Sequence, residues 1–437
     1  MAGKQHLIAY PGGNLSASPE IPGDKSITHR AIILSAISEG TSRIKGFLKS
    51  DDCLSTIDAF SKMGVETNLS SEGHLLVQGA GINGLRPPQG EISLGNSGTA
   101  MRLLSGLLSA QTFDSVLTGD SSLQKRPMDR IREPLELMGA AIRLTKKGTA
   151  PINIEGGRML RGITYNLPTA SAQVKSALLL AALYTNERTI LTEESVTRDH
   201  TERMLETFSY PISYLNQEIS IQGGSRLRAT EIEIPRDISS AAFFILGALI
   251  SERSKIILKG FGINETRVGV LSILKMMGGK IEIHNKRTLG NEFIADISVM
   301  SSTLHGVSIP QNLVSIAIDE FPCIFIAAAV AKGKTVLENA AELRIKESDR
   351  IQVMAAGLHA CGAQVETSKD GLVIQGGKLK GGTVDAKGDH RVAMAFAMAS
   401  LATSEKIHIS DTRNISTSYP DFVKHACLSG IQLEMGS

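Results

Sequence analysis

The chain has 437 residues, enough for two or three domains. Lys and Arg number 46 against 44 Asp and Glu, a formal net charge of +2, which excludes a bulk nucleic-acid or membrane-surface binder while leaving room for a local basic cleft. With 4% aromatics, no Trp and only the scattered Cys53, Cys323, Cys361 and Cys427, base-stacking platforms, zinc knuckles and thioredoxin-type sites are excluded too.

The start, MAGKQHLIAYPGG, carries too short an apolar run for a secretory signal. It reads as a strand from His6, able to pair with a distant part of the chain. Residues 20–26, EIPGDKS, read as a crossover. Then a pattern begins: an apolar, Ala-rich helix, a polar turn and a brief strand, AIILSAISEGTSRIKGF from Ala31. A second helix breaks at Gly64 into a hairpin, KMGVETNLSSEGHLLVQG. Gly there serves as a left-handed helix cap, and alternating apolar residues give half-buried strands.

The pattern returns as AMRLLSGLLSAQTFDSVLTG from Ala100, followed by LMGAAIRLTKKGTAPINIEG. It returns again as SALLLAALYTNERTILTE from Ser176, followed by TFSYPISYLNQEISIQGG, where Tyr210 and Pro211 stand where Gly is expected. Residues 227–244, LRATEIEIPRDISSAAFF, read as the second crossover. Copies four to six start at Ala241, Cys323 and Ala393. Their hairpins are KMMGGKIEIHNKRT, ACGAQVETSKDGLVIQGG and a truncated CLSGIQLE. Six copies spaced roughly 65–80 residues apart exceed the period of common solenoids. They divide into two α/β (α+β) domains of three units each, residues 1–22 plus 237–437 and residues 23–236. Ligands commonly bind at such two-strand junctions. The apolar stretches near residues 176–184, 241–250 and 324–331 fall short of the roughly 18 residues of a membrane span and read as buried helices.

Stock sites are missing. GKT at 333–335 has Ala328 where a P-loop needs Gly, and no strand-linked G-x-G-x-x-G, H-E-x-x-H or G-x-S-x-G occurs. Present instead are eight dense polar segments, several of them immediately before the apolar helices: PGDKSITHR (22–30), LGNSGTAMR (94–102), QKRPMDR (124–130), PTASAQVKS (168–176), VTRDHT (196–201), AIDEF (317–321), RIKESDR (344–350) and GDHR (388–391). Taken singly, each has a bland explanation: Asn96 and Ser97 cap a helix, Arg391 is a surface cation, His390 a structural histidine. Eight of like chemistry at the junctions of one repeat point elsewhere. Helix N-termini bind anions. With Lys25, Arg30, Arg126, Arg198, Arg350 and Arg391 nearby they suit a small polyanionic substrate, and Asp319 and Glu347 could move protons.

Through PGDKSITHR, LGNSGTAMR, RIKESDR and GDHR the chain closely resembles the 5-enolpyruvylshikimate-3-phosphate synthase family over nearly its whole length. The resemblance implies the two-domain enolpyruvyl-transferase fold, six βαβαββ units around a central cleft. It implies transfer of the enolpyruvyl group of phosphoenolpyruvate to the 5-hydroxyl of shikimate 3-phosphate, releasing phosphate, with no metal or organic cofactor. By family position, phosphoenolpyruvate would meet Lys25, Asn96, Gly98, Arg126, Gln173, Arg350 and Arg391, with Arg102 shaping its pocket. Shikimate 3-phosphate would meet Ser26, Arg30, Ser171, Ala172, Gln173, Arg198, Asp319 and Lys346. Asp319 would take the hydroxyl proton, and Glu347 and Lys25 are the two candidates for protonating the methylene carbon and the departing phosphate. The expected partners are these small molecules alone, with neither nucleic acid nor membrane, in a cytoplasmic monomer.

Three departures mark a divergent branch that includes members less sensitive to the phosphoenolpyruvate mimic glyphosate. Ala172 replaces a common second serine, Leu103 a common proline, and Thr417 a common lysine. Gly98, replaced by Ala in some insensitive members, is retained. The nearest rival, UDP-N-acetylglucosamine enolpyruvyl transferase, typically carries a reactive Cys where this chain has TGDSSLQKR (118–126). An RNA 3′-phosphate cyclase would need a nucleotide site and a basic track. A repeat-built binding scaffold would not need its cations and carboxylates gathered at helix entrances.

Overall fold

The computed structural model describes residues 5–436. It divides into two compact units. One joins the chain up to Pro22 with Pro235–Thr288 and everything from Phe293 on; the other holds Gly23–Ile234 and Leu289–Glu292.

The second of these contains helices α1 (Lys25–Ala36), α2 (Asp51–Lys62), α3 (Gly98–Leu108), α4 (Asp129–Leu137), α5 (Ala172–Ala182) and α6 (His200–Thr207). The first contains α7 (Ile238–Ile250), α8 (Gly269–Met276), the single turn α9 (Gln311–Val314), α10 (Phe321–Val330), α11 (Arg350–Ala360), α12 (His390–Ala399) and α13 (Phe422–Leu428). Among the described residues no helix is long and apolar enough to cross a membrane.

The helices fall into two kinds. Those starting the repeats are apolar on every side and so become core. Helix α7 is buried everywhere but Ile250, and α10 everywhere but Val330. The others carry one apolar face: α2 buries Cys53, Thr56, Ala59 and Phe60, and α4 buries Ile131, Pro134 and Leu135, at the i, i+3, i+4 spacing of an amphipathic helix.

Among the described residues six small sheets accompany them, three in each unit. The sheet of Ile92–Ser93, Ser115–Thr118, Ile152–Glu155 and Ala141–Arg143 shows the plan: a parallel first pair, then an antiparallel hairpin. The strands Thr164–Leu167, Arg188–Glu193, Glu218–Gln222 and Ile212–Leu215 repeat it. With a core helix after the first strand and an amphipathic helix after the second, this is the βαβαββ unit that the resemblance implied.

Two departures concern turns and ends. The third repeat lacks the capping glycine, and Ser209 takes over its conformation, with φ 60°. Its N–H and that of Tyr210 then reach back to the carbonyls of Glu206 and Leu205. The truncated last hairpin is completed by the N-terminus: His6–Ala9 lies between Ile407–Ser410 and Leu433–Gly436, antiparallel to both.

Candidate active site

Where the core helices break burial is informative. Helix α1 is buried except at Lys25 and Ser26, α3 except at Thr99, α5 except at Ala172 and Gln173, and α12 except at Arg391. Each exception lies in the first turn, where backbone N–H groups have no intrahelical partner. In α3 and α5 the caps are neutral, Ser97 and Ser171, accepting from the N–H groups of Ala100 and Val174 at 3.1 and 3.4 Å. Neither helix has an acid in its first turn, unlike α2, α4 and α6. The positive ends of α3 and α5 therefore have no compensating acid in their own first turns.

Around those ends stand the unit's predicted cations. Lys25 Nζ lies 2.7 Å from Asp52 Oδ2. Arg126 donates to Asn96 Oδ1 at 2.7 Å, and the Asn96 amide donates to Asp120 at 2.8 Å. Arg102 donates to Gln173 Oε1 at 2.6 Å, and Gln173 donates to Thr99 Oγ1 at 3.0 Å. A methyl on Gly98 would lie 2.8 Å from Arg126 Nη1 and 3.0 Å from Arg102 Nη1, so the missing side chain admits both guanidinium groups to the start of α3. Arg198 reaches Ser26 Oγ at 3.5 Å.

Arg30 is more deeply placed. Its nitrogens donate to Thr201 Oγ1 and Ser176 Oγ, both at 2.7 Å, and to the Ser26 carbonyl at 2.9 Å, tying α1 to α5 and α6. Beside it His29 is fully buried, with Nδ1 2.8 Å from Thr56 Oγ1. Burial, reinforced by Lys25 and Arg30, holds its pKa well below the ordinary value.

In the other unit the predicted residues also converge. Asp319, in the turn before α10, has Lys346 Nζ and Arg350 Nη1 at 3.5 Å and Arg391 Nη2 at 4.0 Å. Arg391 also donates to the Asp319 carbonyl at 3.2 Å. Arg350 is completely buried and meets three carboxylates: Glu347 at 2.5 Å, Asp389 at 2.9 Å and Asp319. Burial works against its charge, but these carboxylates outweigh burial and hold its pKa above the usual arginine value. Thr417 bonds locally, its hydroxyl donating to the Asn414 carbonyl at 2.6 Å. Among the described residues no three His, Cys, Asp or Glu side chains group as a metal site.

Four carboxylates in these clusters were not singled out from the sequence. Asp52 faces Lys25, Asp120 holds Asn96, Glu320 lies 3.6 Å from Arg391, and Asp389 anchors Arg350. Asp389 and Glu320 lie in the polar segments GDHR and AIDEF, and Asp389 caps α12.

Comparison with known proteins gives these clusters their family. The model of the EPSP synthase (3-phosphoshikimate 1-carboxyvinyltransferase) family matches residues 9–425. The 3-phosphoshikimate 1-carboxyvinyltransferase of Methylococcus capsulatus is 52% identical over 429 residues, covering 98% of each chain. That of Alkalilimnicola ehrlichii is 53% identical, covering 98% of this chain and 96% of its own. A solved EPSP synthase from Acinetobacter baumannii superposes with a TM-score of 0.87 at 49% identity, covering 99% of this chain and all of that one. The enolpyruvyl transferase NikO from Streptomyces tendae, at 16% identity and a TM-score of 0.80, shares the fold. A family match across nearly the whole length, with close relatives of the same length, leaves one conclusion: the chain belongs to the EPSP synthase (3-phosphoshikimate 1-carboxyvinyltransferase) family.

Proposed function

We propose that this enzyme transfers the enolpyruvyl group of phosphoenolpyruvate to the 5-hydroxyl of shikimate 3-phosphate with the two side-chain clusters described above. The observation that carries the assignment is Asp319, a carboxylate with three cations within 4.0 Å and partly open to solvent. It takes the hydroxyl proton as the oxygen attacks C2 of phosphoenolpyruvate. The methylene carbon gains a proton and becomes a methyl group, C2 becomes tetrahedral, and loss of one methyl proton together with phosphate restores the double bond. Lys25 and Glu347 are the two candidates for protonating the methylene carbon and the departing phosphate; Lys25 is paired with Asp52, Glu347 with Arg350.

Lys25, Arg126, Arg350 and Arg391 neutralise phosphoenolpyruvate, because a planar guanidinium meets carboxylate or phosphate through two parallel bonds. Asn96, Gly98 and Gln173 complete that set. Ser171 and Arg198 hold the phosphate of shikimate 3-phosphate at the start of α5, beside Ala172 and Gln173. Ser26, Arg30 and Lys346 serve its ring substituents. The enzyme works as a cytoplasmic monomer on small molecules, without nucleic acid or membrane. Reduced sensitivity to glyphosate is part of the reading, and tight inhibition competitive with phosphoenolpyruvate would refute it.

Asp319→Ala should keep shikimate 3-phosphate binding and lose kcat by about 100-fold or more. Near-normal turnover would remove Asp319 from the role. Phosphate release with phosphoenolpyruvate should require shikimate 3-phosphate and be absent with UDP-N-acetylglucosamine; the reverse would transfer the assignment to the rival.

A further inference from the structure

One buried cluster takes no part in the chemistry above. Lys175, one turn along α5 from Ser171, is 1% exposed. Its Nζ lies 2.9 Å from Glu193 Oε2 and 2.7 Å from Glu202 Oε1. Glu193 ends the strand Arg188–Glu193, and Glu202 lies in the first turn of α6. Both are buried, at 7% and 1%. Between them runs the segment 194–199, where Thr197 donates its hydroxyl to Glu193 Oε1. The next residue is Arg198.

Stability alone gives a poor account of this arrangement. Burying one ammonium with two carboxylates costs desolvation that ion pairing only partly offsets, and an apolar cluster of similar volume would serve the fold at least as well. Moreover, Glu202 Oε2 is buried with no hydrogen-bond partner, which is unfavourable in itself. What the cluster does achieve is geometric. It fixes the segment carrying Arg198 to the same helix turn that presents Ser171. A second tie runs in parallel, from Ser176 Oγ on α5 to Thr201 Oγ1 on α6 at 2.7 Å.

We propose that Lys175, through Glu193 and Thr197, is a positioning residue that sets Arg198 against the start of α5 for the phosphate of shikimate 3-phosphate. The inference rests on the reading of Ser171 and Arg198 given above. Lys175 touches no substrate; it acts by where it holds the segment 194–199.

The test is steady-state kinetics on purified full-length variants, with melting temperature measured alongside. Thr197→Val removes one hydroxyl and leaves the buried charges in place. It should raise KM for shikimate 3-phosphate about tenfold, the cost of one hydrogen bond to a charged group. KM for phosphoenolpyruvate and kcat should stay within about twofold, and Thr197→Ser should restore the parent value. Arg198→Ala separates the two levels of the argument. If it leaves KM for shikimate 3-phosphate unchanged, the reading of the site falls and the inference with it. If Arg198→Ala raises that KM but Thr197→Val only lowers the melting temperature, the site stands and the positioning role is overturned. In the Arg198→Ala background Thr197→Val should add nothing; an additive effect would mean it does not act through Arg198. The paired change Lys175→Met with Glu193→Gln, which keeps the formal charge of the cluster, should reproduce the Thr197→Val phenotype, and a KM unmoved in the folded pair would also overturn the role.

Discussion

Asp389 shows how one residue can be half visible in a sequence. As the residue before an apolar helix it reads as a cap, and its Oδ1 does accept from the N–H groups of Arg391 and Val392. Its other oxygen takes the guanidinium of Arg350 and the hydroxyl of Ser348, 39 and 41 residues away, and nothing local announces that. His29 is similar. It lies in PGDKSITHR, yet its burial between Thr56 and the segment before α3 comes from packing. Because burial lowers its pKa in the folded state, the unfolded chain binds more protons below about pH 6.5, so stability falls as pH drops through and below that value. His29→Gln should make stability less steep between about pH 6.5 and 5, measured by urea unfolding at fixed pH steps; an unchanged slope would exclude His29 as a source.

At the scale of elements, the core helices were legible because apolar residues on all sides leave a helix nowhere to go but inside. Their contacts were not. Helices α3 and α5 cross at Gly106, where an added methyl would lie 2.0 Å from the Ala177 carbonyl oxygen. Backbone cannot yield there as a flexible side chain could. Gly106→Ala should therefore destabilise the protein by at least about 1–3 kcal/mol, read from the urea midpoint, and should raise both KM values because the proposed substrate groups sit at the starts of α3 and α5. A stable, fully active variant would show that the two helices part easily. Ser209 teaches the complementary lesson. A motif search for glycine passes over it, since a serine takes the left-handed conformation only when the surrounding turn imposes it.

For the molecule as a whole, the six-fold repeat and the polar character of its helix entrances were written locally. Each copy carries its own periodicity, turn and polar junction, and a near-neutral total of 46 basic and 44 acidic residues conceals how those charges are grouped. The N-terminal strand is a long-range feature. Leu7 and Ala9 are fully buried, and the strand pairs on one side with Ile407–Ser410 and on the other with Leu433–Gly436. Removing residues 1–10 should lower unfolding stability by at least about 3 kcal/mol, through lost apolar burial and two interrupted ladders; an unchanged urea midpoint would show that the sheet closes without it. Fold class, repeat count and the residues gathered at helix starts could be read from the chain because short-range pattern encodes them. Which carboxylate faces which cation, how Lys175 meets Glu193 and Glu202, and where the first strand inserts were decided by tertiary packing, because those partners, the local pair Glu347 and Arg350 apart, lie from 18 to over 400 residues apart and only the folded core brings them together.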